Sequence, residues 1–489
     1  MGCPPQIFEG LRLDESTNPL LAEFADVIGK EYVLSKDEDK APYLIDWGKR
    51  FKGSALAILR PKNTSEVAAL IKICKHHQVP MVPQGGNTGL CGGATPDSSG
   101  HAVVICLRRL NQIQALDLEN STITVGAGAV LKHVQEAAVL QNRLFPLSLA
   151  AEGSCTIGGN LATNAGGVQV LRYGNMRDLT LGLEVVTANG EIWNGLRGLR
   201  KDNTGYSLKD LFIGSEGTLG IITAATLKVF PLPKTKVTVL VKMNDVASSI
   251  ALLQQVQKVC SADLTAFELI SSRAIELVSN QLTLAQQLLQ DQADWIVLIE
   301  LSSMDSEDKV RLDLQNLLMD AMDSKLVLDG IVADSIQQSK AMWGIRETIP
   351  EAQLQLGNVI KHDISLPISE LNNFIKTTDA RLKKTWPDIE IIVFGHVGDG
   401  NLHYNIVGMS LEVSALLENR RGQINQLVHD QVYLHNGSFS AEHGIGQAKV
   451  TELTERKSSV EMALMRAIKK SLDPLCIMNP NKVLLREPD

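Results

Sequence analysis

Two histidines flank a glycine-rich turn in the segment Gly395-His396-Val397-Gly398-Asp399-Gly400-Asn401-Leu402-His403, which runs on into Tyr404-Asn405. Gly398 to Asn401 is a strong turn signal between two β-type runs and predicts a hairpin. With Val397 opposite Leu402, His396 falls opposite His403. Directly opposed residues share a face, with Cβ atoms roughly 5 Å apart. Two imidazoles at that spacing can share one metal ion. Further along, Ser440-Ala441-Glu442-His443-Gly444-Ile445-Gly446 offers a hard oxygen donor in Glu442. Two imidazoles and a carboxylate suit Zn²⁺ or another divalent ion with open positions. A neutral histidine beside such a site can take a proton, so His443 reads either as a base or as a partner behind the metal. Asn405 fits as a polar group beside it. Arg346, in Trp343-Gly344-Ile345-Arg346-Glu347, carries a guanidinium that can grip a carboxylate in two places. Lys361 is a second cation for that task. On the residues alone, both also read as surface charges.

Glycine is dense in three other places. The first is Pro83-Gln84-Gly85-Gly86-Asn87-Thr88-Gly89, continuing to Cys91-Gly92-Gly93. The second runs from Glu152 to Gly167 and includes Gly153, Ser154, Thr156, Gly158, Gly159, Asn160, Thr163, Asn164 and Gly166. The third is Gly214-Ser215-Glu216-Gly217-Thr218-Leu219-Gly220, followed by Ile221 and Ile222. Glycine lets backbone N–H groups approach an anion without Cβ hindrance, and the interleaved Ser, Thr and Asn side chains can donate as well. Three such segments are more cradle than one phosphate needs, and a dinucleotide pyrophosphate is a sensible occupant. None is a P-loop, and none is a clean GxGxxG between strand and helix. Each taken singly also fits a tight turn in a β-rich domain.

The motifs PQGGNTGL, CTIGGNLATNAGG, LRKDNTGY, GSEGTLGIIT, GHVGDGNLH and SAEHGIG are specific. Through them the chain, from about residue 35 to 485, resembles the vanillyl-alcohol-oxidase / p-cresol-methylhydroxylase flavoproteins. Within that superfamily it is most similar to the D-2-hydroxyglutarate and D-lactate dehydrogenase branch. The resemblance implies an α+β fold: a two-subdomain FAD-binding domain of the PCMH type, an α/β substrate (cap) domain with a mainly antiparallel sheet, and a C-terminal helical segment. It implies that residues 83–89 wrap the pyrophosphate. Residues 153–167, Glu216 to Ile222 and Asn479 would line the rest of the FAD. Some relatives attach flavin through a histidine in the first loop, where this chain has Gly86-Asn87-Thr88-Gly89, so non-covalent FAD is expected. His396, His403 and Glu442 match the branch's metal ligands, with zinc the first candidate. His443 matches its base, while Arg346 and Lys361 match substrate-contacting positions.

The implied activity is oxidation of a D-2-hydroxy acid. The hydroxyl loses a proton to His443, C2 gives a hydride to flavin N5, and a metal lowers the hydroxyl pKa. D-2-hydroxyglutarate is the first substrate expected. D-lactate, or glycolate in a flavin subunit of a larger oxidase, is the alternative. A non-enzymatic FAD- or metal-binding subunit is the reading outside catalysis. One departure bears on the substrate. Where hydroxyglutarate enzymes often have a threonine four residues after the arginine, this chain has Pro350, which brings neither hydroxyl nor N–H. An electron-transfer flavoprotein or a quinone is the expected acceptor.

The elements that must position these residues change character along the chain. Ser54–Leu59 reads as a strand, and Thr64 as the N-cap of a helix with Ala68 to Ile73 at helical spacing. Pro80–Pro83 is a short strand, and residues 102–230 are mostly short β-type runs parted by glycine loops. After Pro231-Leu232-Pro233, strands alternate with long helices: strands at Val237–Lys242, Trp295–Leu301 and Glu390–Phe394, helices at Ala247–Val259, 306–323 and 412–434. This predicts an N-terminal segment 1–50, an FAD domain 51–233, a substrate and metal domain 234–450, and a tail 451–489. The tail has a helix around 459–471 and an irregular end, Cys476–Leu485, that returns to the FAD domain.

With 489 residues the chain is too long for one core. A net charge of -8 and the lack of a Lys/Arg run argue against a nucleic-acid partner. No uncharged apolar stretch is long enough for a membrane span. The start, MGCPPQIFEG, has neither the basic-then-apolar pattern of a secretory signal nor the Arg- and Ser-rich character of a transit peptide. Gly2 and Cys3 suggest lipidation, but Gln6 stands where myristoylation wants Ser or Thr. The 7 cysteines are scattered without CxxC, which fits reduced thiols in a cytoplasmic protein and argues against an iron–sulfur cluster. A homodimer is admitted as the assembly.

Overall fold

The computed structural model describes residues 18–291 and 293–486. The lipidation reading at Gly2, Cys3 and Gln6 lies outside them. The chain divides into two compact units, one comprising residues up to 166, 175–232 and 442 onward, the other 167–174 and 233–441. The architecture is α+β.

The first unit contains a four-stranded sheet in the order Val33–Leu34, Ala57–Leu59, Val103–Cys106, Met81–Gln84. The last two pairings are parallel. The helix Thr64–His76 makes the crossover and buries Val67, Leu70, Ile71 and Cys74. Its N-cap is Asn63 rather than Thr64: the Asn63 side chain accepts from the Glu66 N–H at 2.8 Å. An amide oxygen satisfies the same orphan donor that the expected Thr64 hydroxyl would, one residue earlier. A second, antiparallel sheet has the order Ile113–Asp117, Thr122–Gly126, Gly220–Lys228, Thr180–Thr187, Ile192–Gly195. The C-terminal tail belongs to this unit. The Met81 N–H donates to Ile477 O, and the Asn479 N–H to Met81 O, each at 2.8 Å.

The second unit is built on a seven-stranded antiparallel sheet. Its order is Asp329–Val332, Thr235–Met243, Trp295–Ser303, Leu264–Ser271, Ile389–His396, Asn401–Gly408, Asp363–Ser365. Side chains alternate between two cores. Val239, Phe267, Val297 and Tyr404 enter one, packed under the helices Val246–Cys260, Glu307–Asp323 and Leu371–Thr385. Leu240, Ile270, Leu298 and Phe394 enter the other, under Ser272–Ser279 and Ile336–Ala352. Residues 167–174 leave the glycine-rich run of the first unit and dock here. Arg172 donates to the carbonyl of Ser302, and the Leu171 side chain lies 2.6 Å from where a Cβ on Gly398 would stand.

Candidate active site

In the first unit the three glycine segments converge on one cleft. Pro83 to Gly89 form one wall, Thr156 to Thr163 another, and Ser215 to Ile222 the third. The loops touch so closely that side chains are excluded. A Cβ on Gly86 would stand 2.3 Å from Ser154 O, and one on Gly217 2.9 Å from the Pro83 ring. The Thr156 hydroxyl is buried in the cleft wall with no partner in the protein, a donor left for a bound group. Arg108 donates to the carbonyls of Gly85 and Gly86 at 3.3 and 2.9 Å. The cleft thus has the narrow, backbone-lined form and the spare donor that FAD requires.

Not all expected FAD residues line it. Gly153, Ser154, Asn164 and Gly166 do not, and Gly167 begins the excursion into the second unit. Asn164 is occupied by the Arg177 N–H at 2.9 Å. Asn479 ties Gly93 O and Glu216 O together from behind, at 2.9 and 2.7 Å. The sequence reading missed Ala94 and Leu107, whose types carry no special signal and which reach the cleft through their neighbours.

His443 lines the same cleft. Glu216 explains how its loop is held. Both Glu216 oxygens are taken by backbone donors past the histidine, Ile445 N–H at 2.7 Å and Gly446 N–H at 2.8 Å. Burial pushes the Glu216 carboxyl up, while those two N–H groups pull it back. Glu216 therefore clamps a loop, and its carboxylate is already engaged by the protein.

In the second unit, His396 and His403 converge, with ring centroids 5.9 Å apart. Their register differs from the expected hairpin. His403 lies opposite Phe394, and His396 lies opposite Glu268 on the neighbouring strand. Gly395 causes the shift. At φ +152° it occupies a conformation that favours glycine, and a Cβ there would meet Asn401 O at 2.7 Å. The strand departs from its partner at that point, so a short helical turn, Val397–Asp399, replaces the tight turn. The two imidazoles are diagonal neighbours, still close enough to serve one ion.

Arg346 is buried on the helix Ile336–Ala352, 7% exposed. Its guanidinium stacks on Phe394 at 4.7 Å, and Nε donates to Glu268 at 2.8 Å. Glu268, which the sequence reading missed, has no exposed surface. Burial alone would raise its pKa; the hydrogen bonds and electrostatic pull of His396 and Arg346 override this and hold it below the usual carboxylate range. Pro350 sits inside the helix one turn beyond Arg346, where it cannot donate to the Arg346 carbonyl. Asn405 is engaged on both ends, accepting from His362 N–H at 3.2 Å and donating to Gln353 at 2.8 Å. Lys361, next to His362, is exposed two residues before the edge strand Asp363–Ser365. Ala441, whose N–H donates to Asp363 O at 3.2 Å, is the last residue of this unit before Glu442. Asp363 pairs with His403 in register.

Two family models match the chain: FAD binding domain over residues 55–195, and FAD linked oxidases, C-terminal domain, over 232–483. The chain belongs to the FAD-linked oxidases. It is a flavoprotein oxidoreductase. A mitochondrial D-2-hydroxyglutarate dehydrogenase of Arabidopsis thaliana is 38% identical over 461 residues, covering 94% of this chain and 80% of that protein. The mitochondrial enzyme of that name from Bos taurus is 37% identical over 453 residues, 92% and 81% respectively. Among solved structures, p-cresol methylhydroxylase with substrate bound superimposes with a TM-score of 0.76 at 17% identity, covering 98% of this chain and 99% of that one. That likeness speaks for the fold alone, a PCMH-type FAD domain followed by a second α/β domain. The expected cytoplasmic location does not stand, because these relatives are named mitochondrial. Scattered cysteines report a reducing environment and do not distinguish one reducing compartment from another. No helix of the described residues is long and apolar enough to cross a membrane.

Proposed function

We propose that this FAD-linked oxidase oxidises D-2-hydroxyglutarate to 2-oxoglutarate. The observation that carries the reading is a histidine held in the flavin cleft: His443 lines it, on a loop pinned by both oxygens of Glu216. The relatives' names supply the substrate class. Bound FAD supplies the two-electron acceptor, and a divalent ion supplies a Lewis acid that lowers the pKa of the substrate hydroxyl.

The chain's own residues do the rest. His443 takes the hydroxyl proton as C2 gives up its hydride, so the alcohol becomes a ketone and the flavin is reduced by two electrons. Arg346 faces the substrate carboxylate with Nη1 and Nη2, its Nε being spent on Glu268. Lys361 adds a second positive charge. His396 and His403 hold the ion, zinc first, and Glu442 completes the set. Glu442 follows Ala441 directly, and the Ala441 N–H is anchored opposite the strand of His403. FAD is held without a covalent bond. Asn405 acts through its neighbours, keeping His362 and Gln353 in place. An electron-transfer flavoprotein or a quinone reoxidises the flavin.

Pro350 supports a second reading with the same chemistry. It offers no donor one turn beyond Arg346, so a smaller D-2-hydroxy acid such as D-lactate competes for the site. Anaerobic mixing with D- and L-2-hydroxyglutarate, D-lactate and glycolate decides between them. The proposal expects bleaching of the flavin by D-2-hydroxyglutarate at the lowest concentration. Faster bleaching by D-lactate would move the assignment to it, and bleaching by no hydroxy acid would end the enzymatic reading of this site.

A further inference from the structure

Five side chains of the second unit form a closed ring of contacts. Glu268 Oε1 accepts from His396 Nδ1. The His396 and His403 rings lie 5.9 Å apart, and the His403 and Phe394 rings 5.0 Å apart. The Arg346 guanidinium covers Phe394 at 4.7 Å, and Arg346 Nε returns to Glu268 Oε2 at 2.8 Å. Glu268 thus spends one oxygen on each of the two groups with the most different tasks in the proposed reaction. It does so from mid-strand, in register with His396 and without exposure to solvent. Its neighbours Phe267 and Leu269 enter the opposite core, which fixes the direction of its side chain.

We propose that Glu268 is a positioning residue that sets the tautomer of His396 and the reach of Arg346 together, so that metal affinity and substrate binding depend on one carboxylate. The inference rests on the metal reading above. A carboxylate only accepts, so the His396 proton sits on Nδ1 and the lone pair is on Nε2, the nitrogen that must bind an ion. Arg346 only donates. It holds the second oxygen and keeps its two Nη groups in a fixed fork.

Glutamine at this position makes the idea testable, because its two ends differ. Arg346 Nε–H is a permanent donor and must take the amide oxygen. The amide NH₂ then faces His396 Nδ1, which can no longer carry a proton. The proton moves to Nε2 and blocks the metal-binding nitrogen. Removing the arginine removes that constraint, and the amide can turn its oxygen back to His396.

The experiment uses the full-length holoprotein, stripped of metal by chelation and titrated with Zn²⁺, with unfolding monitored by circular dichroism. Glu268→Gln is expected to lower zinc affinity roughly 10–100-fold with the fold retained. Glu268→Gln combined with Arg346→Met is expected to recover zinc affinity to within a few-fold of the unmutated protein, while substrate-driven bleaching stays impaired. A structural role alone would make the double variant no better than the single one, and that result overturns the proposal. So does unchanged zinc affinity in Glu268→Gln. Should Glu268→Gln fail to fold, ¹⁵N-histidine spectra of the unmutated, metal-free protein decide. A proton on His396 Nδ1 is expected, and one on Nε2 overturns the inference. An unmutated protein that takes up no zinc defeats the metal reading instead, and the spectra still judge the tautomer.

Discussion

At the scale of single residues, His443 and Arg346 have separable effects. His443 touches the flavin cleft, so His443→Ala should retain FAD and lose on the order of 10²–10⁴-fold in the rate of anaerobic flavin reduction. Stopped-flow absorbance at the flavin band reads both. Arg346→Lys keeps the charge and loses the fork and the stacking on Phe394. It should raise KM for the hydroxy acid on the order of 10-fold or more, with a smaller change in kcat. What the sequence made legible at this scale were the residues with chemical types and turn signals. Glu268 was hidden because its strand, Leu264–Ser271, was not among those the sequence pattern picked out. A signal did exist: a lone carboxylate in a strand buried throughout must have a cationic partner. The pairing of the two histidines was legible, but their register was not. Gly395 stood in the run expected to be strand, whereas its backbone conformation ends the pairing at Phe394 and brings the turn forward to Val397–Asp399.

At the scale of elements, two segments bear the load of positioning. The loop carrying His443 is fixed through Glu216, which the sequence placed among the flavin contacts. Glu216→Gln keeps one acceptor and sets an NH₂ against a backbone N–H. The mismatch should cost about 1–3 kcal/mol of stability and slow flavin reduction, both measurable by thermal melts and stopped flow. The helix Ile336–Ala352 carries Arg346 and then Pro350 one turn on. Pro350→Thr restores an N–H for the Arg346 carbonyl and adds a hydroxyl. It should stabilise the protein by up to about 3 kcal/mol and lower KM for D-2-hydroxyglutarate, leaving that for D-lactate nearly unchanged. An equal change for both substrates would show that Pro350 acts on the helix and not on a distal carboxylate.

At the scale of the molecule, a dense run of glycines and a later alternation of strands with long helices announced two kinds of domain, because the two textures require different backbone freedom. The excursion of residues 167–174 into the second unit was not legible, since it continues a glycine-rich run without any break in composition. A return of the tail was expected from its irregular end, Cys476–Leu485, but the two carbonyls that Asn479 ties together were not readable from its neighbours. Burial raises the thiol pKa of Cys74, Cys106 and Cys155, so alkylation of the native protein at neutral pH should leave these three unmodified in peptide mass maps.

The most direct test is anaerobic flavin bleaching by D-2-hydroxyglutarate before chelation, after EDTA, and after zinc is returned. Prompt bleaching, its loss with EDTA and its recovery with Zn²⁺ are expected. Full bleaching in a preparation shown to be metal-free would contradict the metal's role.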